Sequence, residues 1–215
     1  MRVLAISDVE DARLYENLPG QSGSFDVVVS CGDLKRPYLG YVATFANAPL
    51  LYVPGNHDVG FDVEPVAGGI PLDGRIVEVA GLRFAGLGGS MLYREGVVGY
   101  TEPQMRRRCT KLAIRARLVG GIDVLVTHAP PRGYGDLGDL AHCGFESFND
   151  LLYRLKPQVM FHGHVHLDYG RLVRERMHPS GTRLVNTCGS QVVEITASEG
   201  VQCRSCRKEQ QEART

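Results

Sequence analysis

Residues 50–58 read Leu-Leu-Tyr-Val-Pro-Gly-Asn-His-Asp, an apolar run that breaks at Pro54-Gly55 and then delivers an amide, an imidazole and a carboxylate in succession. Short runs rich in Val, Leu and Ile with turn residues behind them read as buried strands. Four other stretches follow the same plan. Residues 3–6 are followed by Asp8 and Glu10, and residues 25–29 by Asp33 in Cys-Gly-Asp. Residues 124–126 lead into His128 in Thr-His-Ala-Pro-Pro, and residues 159–161 into His162-Gly-His164-Val-His166. In layered α/β folds the carboxyl ends of the strands converge on one crevice, so these side chains are expected to meet although they span residues 8 to 166. His164 and His166 are two apart, a spacing that directs both rings to one side of an extended segment. The resulting mixture of oxygen and nitrogen donors suits Mn, Fe, Zn or Mg rather than a thiolate-bound ion.

Outward from these strands, helical spacing is clearest over residues 101–119, where Met105, Cys109, Leu112, Ala113, Ala116 and Val119 share a face. Thr101 with Gln104 forms a capping box there, and Gly120-Gly121 supplies the stop. A second helix is predicted over 145–156, with Phe145, Phe148, Leu151, Leu152 and Leu155 on its apolar side and Pro157 ending it. Residues 75–89 read as two short strands joined at Ala80-Gly81. Residues 169–173, 183–185 and 192–195 read as a closing antiparallel set. Strands alternating with helices and followed by a β-rich end indicate a layered α/β fold with sheets inside and helices outside. One domain is expected over residues 1–201, with a disordered polar tail over 202–215.

The 215 residues suit one domain rather than two complete cores. With 24 basic and 24 acidic residues the formal charge is zero, so no global field draws in nucleic acid. The local cluster of Arg106, Arg107, Arg108, Lys111, Arg115 and Arg117 sits off the apolar stripe of its helix and reads as a solvated face. No apolar run approaches the roughly 18 residues of a membrane span, and Asp8 comes too early for a signal-peptide core. A cytoplasmic protein without a membrane or stable nucleic-acid partner is expected. Its six cysteines are irregularly spaced and expected to be reduced, and Cys203-x-x-Cys206 is a zinc half-site without a second pair.

In order and spacing, Gly32-Asp33, Gly55-Asn56-His57-Asp58, Thr127-His128 and Gly163-His164-Val165-His166 resemble the motifs of the calcineurin-like metallophosphoesterases. The resemblance spans residues 3 to 166 and implies a four-layer α/β/β/α sandwich with mixed sheets. It implies that Asp33 bridges two divalent ions, that Asn56, His128 and His164 complete one of them, and that Asp8 and His166 belong to the other. His57 would stand beside the phosphate and its leaving group without ligating. One position departs from the pattern: where the family's D-x-H has its second His, this chain has Glu10. Either Glu10 reaches the first ion, keeping two ions and favouring harder ones, or it turns away and one ion remains. Manganese is the expected ion, with Fe, Zn, Mg and Ni as alternatives.

What the resemblance implies is hydrolysis of a phosphoester by a metal-bridging hydroxide, with protonated His57 donating to the departing alkoxide. The first expectation is a phosphodiesterase acting on small nucleotide-like diesters. The alternatives are a phosphomonoesterase of small substrates and a non-catalytic metal-binding scaffold that keeps the fold. On the substrate side, Arg132 and His142 lie in loops behind a ligand-bearing strand, where Arg132 can pair with a phosphate oxygen and His142 can line the pocket mouth. Tyr93 and Tyr100 are candidates for stacking on a base.

Overall fold

Four strands, β1 (Arg2–Ser7), β2 (Val27–Ser30), β3 (Leu50–Tyr52) and β4 (Gly69–Pro71), run parallel in one sheet of the computed structural model, which describes residues 1–61, 63–169 and 173–196. A fifth, β13 (Gly189–Glu194), pairs antiparallel with β1, giving the order β13-β1-β2-β3-β4. The second sheet contains β5 (Ile76–Val79), β6 (Leu82–Leu87), β9 (Val124–Thr127), β10 (Val159–His162), β11 (Glu175–Met177) and β12 (Arg183–Asn186). Its order is β11-β12-β10-β9-β6-β5, parallel in the middle and antiparallel at both edges. Two short strands, β7 (Ser90–Met91) and β8 (Gly99–Tyr100), pair separately.

Because successive side chains of a strand point to opposite faces, each central strand buries both of its sides. Val3, Ala5, Val27, Val29, Leu51 and Val53 face Phe84, Val124, Val126, Phe161 and Val185 between the two sheets. Leu4, Ile6, Val28 and Leu50 face the other way, onto Tyr38, Leu39, Val42 and Ala46 of α2 (Arg36–Ala46). A short α1 (Ala12–Asn17) precedes β2. Ala85, Leu87, Leu125, Met160 and Leu184 pack under α3 (Glu102–Leu118) and α4 (Glu146–Leu155). The architecture is therefore the expected four-layer α/β/β/α sandwich with mixed sheets.

Both expected helices are present. Thr101 and Val119 cap α3, and the Gln104 side-chain oxygen accepts from the Thr101 backbone N–H at 2.8 Å. Phe145 and Lys156 cap α4. The hairpin between β5 and β6 turns at Ala80 and Gly81, which have φ of 47° and 81°.

The closing antiparallel set is corrected. Leu167–Tyr169 forms a single 3₁₀ turn, residues 170–172 lie outside the described residues, and the edge strand is β11. β12 runs parallel to β10, its Leu184 and Val185 covered on opposite faces as an interior strand requires, while β13 crosses to the other sheet. The polar tail 202–215, with Cys203 and Cys206, lies outside the described residues. No described helix is long and apolar enough to cross a membrane.

Candidate metal centre

Asp8 follows β1, Asp33 lies in the loop after β2, and Asn56, His57 and Asp58 follow β3. His128 follows β9, while His164 and His166 follow β10. The chain turns sharply at several of these places. Six described non-glycine residues have positive φ. Asn47 and Lys156 end helices and Ala80 is in the hairpin, but the other three are Asp8 (62°), Asp33 (56°) and His164 (70°). Such conformations cost about 1–3 kcal/mol each and persist only where the surroundings over-determine them. The neighbouring glycines allow the close approach. A Cβ on Gly55 would collide with the Asp33 carboxylate, and one on Gly163 with the Asp8 carboxylate.

The backbone around these side chains fixes which atoms face inward. His128 is fully buried, with Nδ1 2.7 Å from the Cys31 carbonyl oxygen, and His164 places Nε2 2.7 Å from the Ala141 carbonyl oxygen. A carbonyl oxygen only accepts, so both nitrogens carry protons and the opposite ring nitrogens are bare in the neutral rings. Those bare atoms meet. His128 Nε2 lies 3.1 Å from His164 Nδ1, 2.8 Å from Asn56 Oδ1 and 3.5 Å from Asp33 Oδ2. Asn56 Nδ2 donates to the Tyr93 hydroxyl at 3.3 Å, which leaves its oxygen turned inward. Four acceptors around one point repel one another unless a cation sits among them. Ring protons anchored on carbonyls are also the usual outer support of metal-bound histidines. Asp8, Asp33 and His128 each offer a ligand atom, all within 4.8 Å of one another.

Burial sets the charges of the surrounding groups. It pushes Asp8 upward from the usual carboxylate range and His164 well below the usual imidazole range. Both Asp8 oxygens accept from the His164 backbone N–H, at 3.0 and 3.1 Å. Asp58 is raised to about 6 by burial, and its Oδ2 accepts from the N–H groups of Asp33 and Gly55, both at 2.8 Å. It clasps the β2 and β3 loops together rather than facing the centre, a role that strand-end patterning did not reveal.

An open pocket of about 300 Å³ lies over this cluster. It is lined by Asp8, Asp33, Asn56, His57, His142, His164 and His166, joined by Tyr93, Ala141 and Tyr169. The His57 side chain is 61% exposed, its Nε2 4.0 Å from Asp33 Oδ2 and its backbone N–H bonded to Asp33 Oδ1 at 2.8 Å. His142 Nδ1 lies 2.9 Å from Asp139 Oδ1, which also accepts from the His142 backbone N–H. The His166 ring stacks on Tyr169 with centroids 4.9 Å apart. Two candidates are not brought to this pocket. Glu10 lies 3.6 Å from Lys35 Nζ and 3.4 Å from the Tyr15 hydroxyl, partners outside the pocket that compete for its carboxylate. Arg132 is held through its backbone, by the Phe145 carbonyl and by Asn149 Nδ2. Tyr169, Asp139 and Ala141 were not foreseen, since nothing in their local sequence marks them.

The profile described as calcineurin-like phosphoesterase matches residues 1–168. The chain belongs to that family. Among curated relatives, the UPF0046 protein C25E10.12 of Caenorhabditis elegans is 26% identical over 211 residues, covering 79% of this chain and 70% of that protein. A second, UPF0046 protein T07D4.2 of the same organism, is 42% identical over 53 residues, 23% of this chain and 13% of that protein. Of solved structures, TT1561 of Thermus thermophilus superposes with a TM-score of 0.59 at 15% identity, covering 87% of this chain and 89% of that one. A hypothetical protein from Thermus thermophilus gives 0.50 at 17% identity, covering 86% and 75%. At those identities the superpositions show the fold. Membership of the calcineurin-like phosphoesterases supports metal-dependent phosphoester hydrolysis, and the donor chemistry of the pocket fits divalent ions.

Proposed function

We propose that this protein is a metal-dependent phosphodiesterase acting on small nucleotide-like diesters within one domain, residues 1–201. The observation carrying the reading is the convergence of His128 Nε2, His164 Nδ1, Asn56 Oδ1 and Asp33 Oδ2, atoms that can all ligate one cation when both rings are neutral. These four side chains would hold one divalent ion, manganese first, while Asp8 and His166, sharing Asp33, would hold a second. Bound there, such ions supply an activated water and neutralise phosphate oxygens.

The chain's own residues do the rest. His57 stands at the rim, where its exposed ring reaches a departing oxygen and donates a proton. His142, oriented by Asp139, presents Nε2 to phosphate oxygens at the mouth. Arg132 is the more remote substrate-side candidate. Unpaired cysteines among the described residues, Cys31, Cys109, Cys143 and Cys188, agree with a reducing, cytoplasmic setting.

Purified protein with manganese should hydrolyse bis(p-nitrophenyl) phosphate faster than p-nitrophenyl phosphate, and chelator should abolish both. The reverse preference would make it a monoesterase. The position of Glu10, which lines no part of the pocket over the cluster, favours one further reading, a metal-binding scaffold. Metal uptake without turnover of either ester under any divalent ion would establish that reading instead.

A further inference from the structure

The pocket over the metal centre ends at Asp33 and His57, and a second groove of about 420 Å³ begins at the same two side chains. It continues along Lys35, Arg36, Val59 and Phe61. A volume of that order lies within the roughly 300–1,000 Å³ of small-ligand sites. A molecule reacting above Asp33 therefore has room for two arms, one toward Tyr93 and Tyr169 and the other toward Phe61.

The second arm's chemistry is set by what the groove displays. The Arg36 guanidinium carbon lies 4.5 Å from the centroid of the Phe61 ring, and its Nε donates to the Glu64 carbonyl at 3.0 Å. These contacts fix a flat cationic plate, since a guanidinium stacks well on planar groups. Val59, 60% exposed, adds apolar surface beside it. The Lys35 side chain is 82% exposed and meets Glu10 only at 3.6 Å, and Arg36 meets the exposed Glu64 carboxylate at 3.5 Å. Pairs this long and this wet are weak, so both cations remain free to take an anion. A flat plate, an apolar flank and two loosely countered cations match a heteroaromatic ring and a phosphate on one scaffold.

We infer that this groove binds the leaving arm of the substrate, and that the arm is a nucleoside carrying a phosphate of its own. Its base lies on Arg36 and Val59, and its phosphate meets Lys35. The term leaving arm rests on the phosphodiesterase reading, because it places His57 between the reacting phosphorus and this groove.

Isothermal calorimetry on the manganese-loaded protein tests it with adenosine 3′,5′-bisphosphate and adenosine 5′-monophosphate. The wild type should bind the bisphosphate about tenfold more tightly, as one charge-assisted contact implies. Lys35→Ala should bring that ratio toward one and Lys35→Arg should preserve it, while Arg36→Ala and Val59→Asp should weaken the bisphosphate. Equal affinities in the wild type, a ratio unmoved by Lys35→Ala, or bisphosphate affinity unmoved by Arg36→Ala overturns the inference, even if bis(p-nitrophenyl) phosphate is turned over. A tenfold ratio without turnover of any ester keeps the nucleoside-phosphate site and removes both the phosphodiesterase reading and the assignment of this arm as the leaving one. Failure of both ligands to bind overturns the site itself.

Discussion

Asp33 divides its two oxygens between two tasks. Oδ1 accepts from the His57 backbone N–H and so places that imidazole, while Oδ2 faces His128. Asp33→Ala should therefore lose bound manganese, measured by elemental analysis, together with activity. His57→Ala should retain the metal and lose rate mainly on esters with poor leaving groups. Equal losses across good and poor leaving groups would exclude His57 as the proton donor. Glu10→His tests the remaining departure: the native chain should already hold two ions by elemental analysis and the variant should leave that count unchanged, whereas a rise from one to two would show that the native first site is defective. The side chains that converge on the pocket were legible in sequence because each lies just beyond an apolar run. The clasp made by Asp58, the place of Tyr169 and the contact of Glu10 with Lys35 were not legible, because they depend on loops meeting from distant parts of the chain.

At the scale of elements, α1 shows how a short helix is held. Asp11 caps it by accepting from the Arg13 backbone N–H at 3.0 Å, and it also accepts from the Ser190 hydroxyl on β13. The hydrogen bond from the Arg13 side chain is the main reason Asp11 is lowered to about 2. A carboxyl depressed by folding contributes stability above its unfolded pKa, near pH 4, and that contribution disappears as pH falls through about 2. Asp11→Ala should cost about 1 kcal/mol at neutral pH, the usual worth of an N-cap, and the difference between variant and wild type should vanish in denaturant melts near pH 2. Helix α3 was readable almost to the residue because spacing, capping box and glycine stop agree. Helix α2 was not anticipated, since Pro37 and Gly40 interrupt its pattern, although a proline is well tolerated in a first turn. The last strands were assigned to the wrong partners because period-two alternation states which face is buried but not which sheet receives it.

Across the molecule, the layer between the two sheets is entirely side-chain packing, with Phe84 and Phe161 fully buried in it. Phe161→Ala should cost about 3–5 kcal/mol and, three residues before His164, disturb the candidate metal centre as well. The centre draws on both sheets, Asp8, Asp33 and Asn56 from one, His128 and His164 from the other. An ion bound there would bridge the layers. Manganese at a hundredfold over its Kd should add about 2.7 kcal/mol, a rise in Tm of roughly 5–10 °C that Asp33→Ala should lack in a thermal melt. The left-handed backbone at Asp8 has a further consequence. There an acid with φ of 62° is half-buried against its own electrostatic preference. Laboratory evolution for heat resistance in a chelating medium should thus enrich asparagine or glycine at position 8, yielding sturdier molecules that have forgotten their chemistry.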